Sequence, residues 1–362
     1  MLRALRARNF SKRPTENTPP VKSTTKSRRS NTRKPKSAAR FDAEQAKKRA
    51  SKNKTVRLNV VVYANAPDVQ MGDAHTPVAP TVIPVQLPRI FQQPPVCEPS
   101  AEALAAATRP PYNGQPAAFV RDAIEDCGPR SLKTLCSVST QVDNAILPKE
   151  LAIVVNDLSA TDYPTHMLAV YAPVPKRPDH APASWTPPRT EVKMYPVHAI
   201  FMAAHCAKLG PFPASPTLSQ DFDASPSSSG TPRTITIPVR PLCLPSPATF
   251  PTLLRYFYLR RPEILLAHFL PCPFSSEFVQ DPLAEENIRV MAQQIGETFN
   301  PTTILRYAKT IQGVWQNACA LGAFDEGLWA AIDACYEILL QALAIGTGNP
   351  RAVYVARTPE PI

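Results

Sequence analysis

Apolar positions along this chain come in short bursts bounded by proline, and their spacing switches between strand and helix periods. TVRLNVVVYA (55–64) is rich in β-branched residues and predicts a strand, followed by a proline-punctuated, extended stretch over 65–99. SAEALAAAT (100–108) and PAAFVRDAIEDCGP (116–129) predict short helices, with Gly128 and Pro129 as the stop of the second. LAIVVND (151–157) and HMLAVYA (166–172) are apolar runs of strand length joined by a Ser/Thr/Asp/Pro turn region. Six prolines make 173–189 a loop.

EVKMYPVHAIFMAAHCAKLGP (191–211) begins as a strand and turns helical near Pro196. Val197, Ile200, Phe201 and Ala204 trace one helix face, and Lys208, Gly210 and Pro211 supply a stop. Residues 211–232 have no period and read as a mobile loop; TITIPV (234–239) then alternates as a strand. In FPTLLRYFYLRRPEILLAHFLPCP (250–273), Thr249 is placed to cap a helix. Phe250, Leu253, Leu254, Phe257 and Tyr258 fall at i, i+3, i+4, i+7 and i+8 of it. Pro262 ends that helix and opens a second, so the segment is two consecutive helices. Farther on, Ile304, Ala308, Ile311, Trp315 and Ala318 step by 4, 3, 4, 3, as do Leu328, Ile332, Cys335, Leu339 and Ala342. With Gly322 between them, they predict an antiparallel helical pair packed as core.

Charge changes this picture at one end. Residues 1–54 carry 18 Lys/Arg against 3 Asp/Glu, a net of +15, whereas the other 308 residues carry a net of −4. The tail has few large apolar residues and reads as disordered. Its clusters KSRRSNTRKPK and KKRASKNK have the form of nuclear import signals: Lys26, Arg28, Arg29, Arg33, Lys34 and Lys36, then Lys47, Lys48, Arg49, Lys52 and Lys54. MLRALRARNF leaves a mitochondrial presequence open as the competing reading. Ser30 and Ser51, each after two basic residues, suit phosphorylation. Proline and glycine make about 15 % of the chain, below the level of low-complexity disorder, and 44 % is apolar, enough for a core. The division that follows is a disordered basic tail (1–54), an extended Pro-rich lead-in (55–116), an α+β core (117–282), a C-terminal helical part (283–346) and a short tail (347–362).

Candidate chemistry is sparse. With 11 glycines in all, no P-loop, dinucleotide fingerprint or nucleophile elbow is present. His198 and His205 share a helix face but sit two turns, about 10.5 Å, apart, too far for one metal ion. His268 and Cys272 have i, i+4 spacing that Pro271 and Pro273 interrupt. None of the eight cysteines has CxxC spacing, and Cys206, Cys319 and Cys335 lie in apolar helical patterns, so they read as reduced core thiols. No cofactor or metal is expected. A mildly acidic body and a tail without interleaved aromatics argue against sequence-specific nucleic-acid binding. No run of about 18 apolar residues predicts a membrane span.

The start MLRALR, the block YPVHAIFMAAHCAKLGP, and IPVRPLCLPSPATFPTLLRYFYLRR with its closing LPCP resemble the clampless family of basidiomycete fungi over most of 120–345. The resemblance implies a developmental regulator of clamp-cell formation and dikaryotic growth. It would act with the mating-type transcription pathway, without enzymatic activity. Its partners are then proteins, transcriptional regulators of that pathway, and its place the nucleus, with the cytoplasm as a second location. Arg255, Arg260 and Arg261, off the apolar stripe, are the candidate partner contacts; Ile200, Phe250, Leu253, Leu254 and Phe257 are the expected core. A weaker likeness concerns architecture. His198, Ala203, Ala204, Phe250, Leu253, Leu254, Tyr256 and Tyr258 match points of the strand–helix–strand–helix order of BTB/POZ domains. The fold class expected is α+β, a small sheet with packed helices, BTB/POZ-like in its core, plus a C-terminal helical pair. An enzyme or metal protein of another type, mitochondrially targeted, is the alternative.

Overall fold

Alternation makes the first described segment a strand: Val56, Leu58 and Val60 turn inward on β1 (Thr55–Val62), which pairs antiparallel with β2 (Thr81–Pro88). The computed structural model describes residues 55–62, 81–109, 112–140, 147–175, 177, 186, 190–219, 222–223, 231–323 and 325–353. After β2 come α1 (Ala101–Ala107), capped by Ser100, and α2 (Ala117–Glu125). Gly128 does not stop the chain there; it opens α3 (Gly128–Cys136). A Cβ at this glycine would lie 1.8 Å from the Tyr258 carbonyl oxygen, so close backbone approach, and not helix termination, demands the glycine.

Five strands form the main sheet: β3 (Val138–Thr140), β4 (Glu150–Val155), β5 (His166–Tyr171), β6 (Val192–Val197) and β7 (Arg233–Cys243), in the order β3-β4-β7-β5-β6. The two apolar runs read as neighbours in sequence are therefore not partners. β7 lies between them, pairing antiparallel with β4 through Arg233–Pro238 and parallel with β5 through Val239–Cys243. The change of partner falls at Pro238, which has no N–H to give either ladder. β5 is apolar without alternation because both its faces are covered. Leu168 and Val170 join the large helical core, while Met167 joins a smaller cluster with Ile153, Tyr163 and Ile237.

α4 (Ala199–His205) follows β6, and Thr165 of the neighbouring chain segment caps it, accepting from the Ala199 N–H at 2.7 Å. The helix ends at His205, earlier than the expected stop, because the chain is stitched elsewhere: Lys208 donates its N–H to the Leu321 carbonyl (2.9 Å) and its Nζ to that of Cys319 (2.8 Å). Part of the stretch read as a mobile loop is held in place. Phe212, Ser215 and Thr217 are buried, and Ser215 Oγ donates to the Thr165 carbonyl at 2.6 Å.

The expected pair meeting at Pro262 is present as α5 (Phe250–Leu259) and α6 (Pro262–Phe269). Thr249 makes no capping bond. Its hydroxyl donates to the Ser246 carbonyl (3.1 Å) and accepts from Nδ2 of Asn317 (3.0 Å), a fully buried amide. Phe250, Leu253, Leu254 and Phe257 are buried as expected; Ile200 is only half-buried at the edge of the core. A short α7 (Ser276–Gln280) and then α8 (Glu285–Thr298), which lies within the expected helical part 283–346 without being singled out there, precede the expected pair α9 (Pro301–Leu321) and α10 (Glu326–Gly346). Gly322 separates these two in a left-handed conformation (φ 65°). α10 is, among the described helices, the one long and apolar enough to cross a membrane, with mean hydropathy 1.5, although Asp333 and Glu337 interrupt any unbroken apolar run. In this fold 72 % of its most apolar window is buried against other helices.

The strand–helix–strand–helix order β6, α4, β7, α5 is thus present within a mixed α+β fold. Removing a buried side chain from α5 should test its place in the core. Leu254→Ala is expected to cost about 2–5 kcal/mol, whereas Arg255→Ala, on the exposed face, should leave the melting temperature within about a degree of the parent. Equal melting temperatures for all three proteins would show the stripe to be surface.

Candidate functional site

The import clusters at Lys26–Lys36 and Lys47–Lys54, with Ser30 and Ser51, lie outside the described residues. The three arginines singled out around Pro262 part company. Arg255 and Arg261 are exposed, and their side chains make no hydrogen bond or ion pair among the described residues. Arg260 is spent inside the molecule. Pro262 forces Arg261 to be extended (φ −110°, ψ 105°), so the left-handed residue that closes α5 must be Arg260 (φ 46°, ψ 35°). Its N–H donates to the Tyr256 carbonyl at 2.8 Å, the single 5→1 bond of an αL cap. This turn aims the guanidinium at Glu125 (2.8 Å) and Asp122 (3.4 Å) of α2, with its Nε 3.7 Å from Asp325. Asp325 in turn accepts from the Tyr256 hydroxyl and from the Leu328 N–H (2.9 Å), which makes it the cap of α10. One arginine therefore ties the ends of α2, α5 and α10 together.

Under this node the core holds an uncommon group. His205 is fully buried, stacked on Phe257 with centroids 5.2 Å apart, and neither ring nitrogen has a partner. Burial pushes its pKa down to about 3; the positive Arg260 and Arg121 add to this against the pull of Asp325. His166 is likewise lowered to about 4, chiefly by burial, while its Nε2 lies 2.9 Å from the Pro213 carbonyl.

Ser131, Asp162 and His198 also come together, three residue types that in another order make a nucleophilic triad. Here Ser131 gives its hydroxyl to Asp162, and His198 Nε2 stands 3.6 Å from the same carboxylate, with its Nδ1 3.1 Å from the Tyr258 hydroxyl. The serine is buried and bonded to the acid instead of the base, so the base cannot take its proton. The group joins α3, α4 and α5 across the chain. Among the described residues no three His, Cys, Asp or Glu side chains gather as metal ligands, and Cys206 and Cys335 are free, buried thiols whose pKa burial raises.

Among the described residues a concave surface lies elsewhere, over the first half of α10. The proline-rich stretch expected to be a mere lead-in runs across the α9–α10 pair as a strap. Arg89 makes a two-pronged ion pair with Glu337, the Tyr336 hydroxyl donates to the Pro88 carbonyl (2.8 Å), and Trp315 Nε1 donates to the Gln92 carbonyl (3.0 Å). Phe91 stacks on Trp315, with centroids 4.8 Å apart. Where the strap passes Gln93, a cleft of about 390 Å³ opens between Pro94–Cys97, Leu283 and the α10 face of Glu326, Trp329, Ala330 and Asp333. A second cleft of about 190 Å³, reached across the same Ala330, is lined by Glu263, Leu266 and Pro282. The sequence reading passed these residues over. Their one signal was the spacing 326, 329, 330, 333, a single helix face carrying two acids beside a tryptophan.

The family model described as Clampless protein 1 N-terminal domain matches residues 94–245, and that described as Clampless protein 1 C-terminal domain matches 263–361. The chain belongs to the clampless family. Membership makes it a developmental regulator of fungi. No curated protein and no solved structure gives a match. In clampless terms, β7 falls within the N-terminal match and α7 to α10 within the C-terminal one, whereas the anchoring residues of the strap, 88–93, precede the first match. The cleft is built from both, since Gln93 alone of its lining precedes the first match.

Two expectations follow from this geometry. Arg260→Ala should destabilise the protein more than Arg255→Ala or Arg261→Ala. Arg260→Gly should regain about 1 kcal/mol of that loss, because glycine takes the left-handed conformation without strain; equal denaturation midpoints for the alanine and glycine variants would contradict this. The buried histidines set an acid limit. Neutral in the fold down to about pH 4 and 3, they take protons near pH 6.5 once unfolded. The unfolded state therefore binds more protons in that window, and stability present above pH 6.5 is lost as pH falls towards 3. Denaturation midpoints of His205→Leu should fall less steeply between pH 6.5 and 4 than those of the parent.

Proposed function

We propose that this chain is a non-catalytic nuclear regulator of fungal sexual development, acting on clamp-cell formation and dikaryotic growth through protein contacts in the mating-type transcription pathway. The observation that carries the reading is the match of both clampless domains, which together reach from residue 94 to 361. What supports contact in place of chemistry is the use made of the reactive side chains. Ser131, Asp162, His198 and Tyr258 are bonded to one another as a brace between helices, and Tyr256 and Asp325 are taken up in capping. The exposed Arg255 and Arg261 remain candidate contacts, whereas Arg260 is withdrawn from that set by its ion pairs. Nuclear entry rests on the basic clusters of the tail, net +15 against a body of net −4.

A fluorescent fusion lacking residues 1–54 should lose nuclear accumulation while remaining soluble, and the intact fusion should accumulate in the nucleus. Import of the intact fusion into mitochondria with loss of its N-terminus would sink the nuclear reading.

A further inference from the structure

The α10 face beside the strap is built in a way that internal packing does not explain. Glu326, Trp329, Ala330 and Asp333 lie at i, i+3, i+4 and i+7, the stripe with which a helix normally meets a neighbour. Here the neighbour is a cleft. Both acids line it and no Lys or Arg does. Glu326 has no partner among the described residues, and Asp333 accepts only from the neutral amide of Gln93, at 3.0 Å. The adjoining cleft repeats the pattern with Glu263, also without a partner among the described residues. The walls are apolar, and two of them are open to solvent: Val96 is 68 % and Leu283 53 % exposed.

We infer that this two-lobed cleft is a docking site for a linear protein segment that presents a lysine or arginine beside an apolar residue. The inference rests on the reading of the chain as a protein-contact regulator and names the surface and the kind of partner. Charge complementarity selects the occupant. A half-desolvated carboxylate supported by one neutral donor gains most from a cation, and a long basic side chain can lay its methylenes along the Pro94–Val96 wall while its head meets the acids. Partial burial already raises the Asp333 pKa, as expected of an acid whose counter-charge is missing. A free metal ion or small amine would leave Val96 and Leu283 exposed. A polypeptide crossing Ala330 from one lobe to the other covers them, as peptides do when they seat anchors in a groove.

The test is selection of a displayed library of random dodecapeptides on the immobilised full-length chain, followed by affinity measurement of the enriched peptides. Enriched sequences should pair Lys or Arg with an apolar neighbour. Replacing the cation by glutamine should weaken binding by about ten-fold or more, as should Glu326→Gln with Asp333→Asn in the protein. That variant should keep the parent melting temperature. A control with Glu102→Gln and Glu150→Gln, which removes the same charge elsewhere, should bind as the parent does. Enrichment of neutral or acidic peptides, absence of enrichment, or an equal loss in the control would overturn the assignment. Following the double variant as a fluorescent fusion keeps the two readings apart. Nuclear accumulation together with no cation preference in the library would reject this cleft while leaving the regulatory reading standing.

Discussion

The need to bury one helix on all but a narrow face governs this molecule. Thirteen side chains of α10 are buried, among them Leu328, Ile332, Leu339 and Leu343, and they are spread around the helix instead of along one stripe. A helix apolar all round is stable in water only inside a core. Here α8, α9, α6 and the strap supply that core, with Arg89 and Gln93 of the strap reaching the few polar positions of α10 at Glu337 and Asp333. Removing the α10 surface from water is a term of tens of kcal/mol before entropy is set against it, so the elements that cover it have little freedom to be placed otherwise.

One long strand joins the two halves of the sheet and leads on to the helical core. β7 pairs with β4 in its first half and with β5 in its second, and α5 follows it after one 3-10 turn at Pro247–Thr249. Three polar contacts secure turns and helix ends: Asn317 holds the turn at Ser246, Asp325 caps α10, and Arg260 closes α5 while pairing with α2. Each satisfies backbone groups that would otherwise be buried without partners. Among the described residues the His205 ring is left without a hydrogen-bond partner, as is Nε of Arg109; the ring is tolerated because a neutral imidazole loses less on burial than a charged one.

The proposed action through protein contact requires a surface that the fold itself has not used up. Arg260 and Asp325 are engaged at helix ends, whereas the stretch of α10 between the strap and α6 keeps two carboxylates beside an apolar wall. The rigidity of the helix behind that surface favours recognition, since little ordering remains to be done on binding.

Local spacing alone determined the elements whose apolar pattern is their own. The two helices meeting at Pro262, the pair separated by Gly322 and strands β4 to β7 follow from steps of 3 and 4, from alternation or short apolar runs, and from proline and glycine acting on their own dihedral angles; β3 is not among them. The family likeness in 195–211 and 237–261 was legible for the same reason, since it lies in contiguous residues. Tertiary structure decided whatever joins residues far apart in sequence. Gly128 reads as a stop until Tyr258 is seen against it, and Arg260 reads as a surface charge until Glu125 and Asp325 are brought to it. The strap reads as a linker until Glu337, 248 positions away, pairs with Arg89. The candidate site belongs wholly to this second kind. Its parts come from 93–97, 283 and 322–333, and no local period records that one will lie across another.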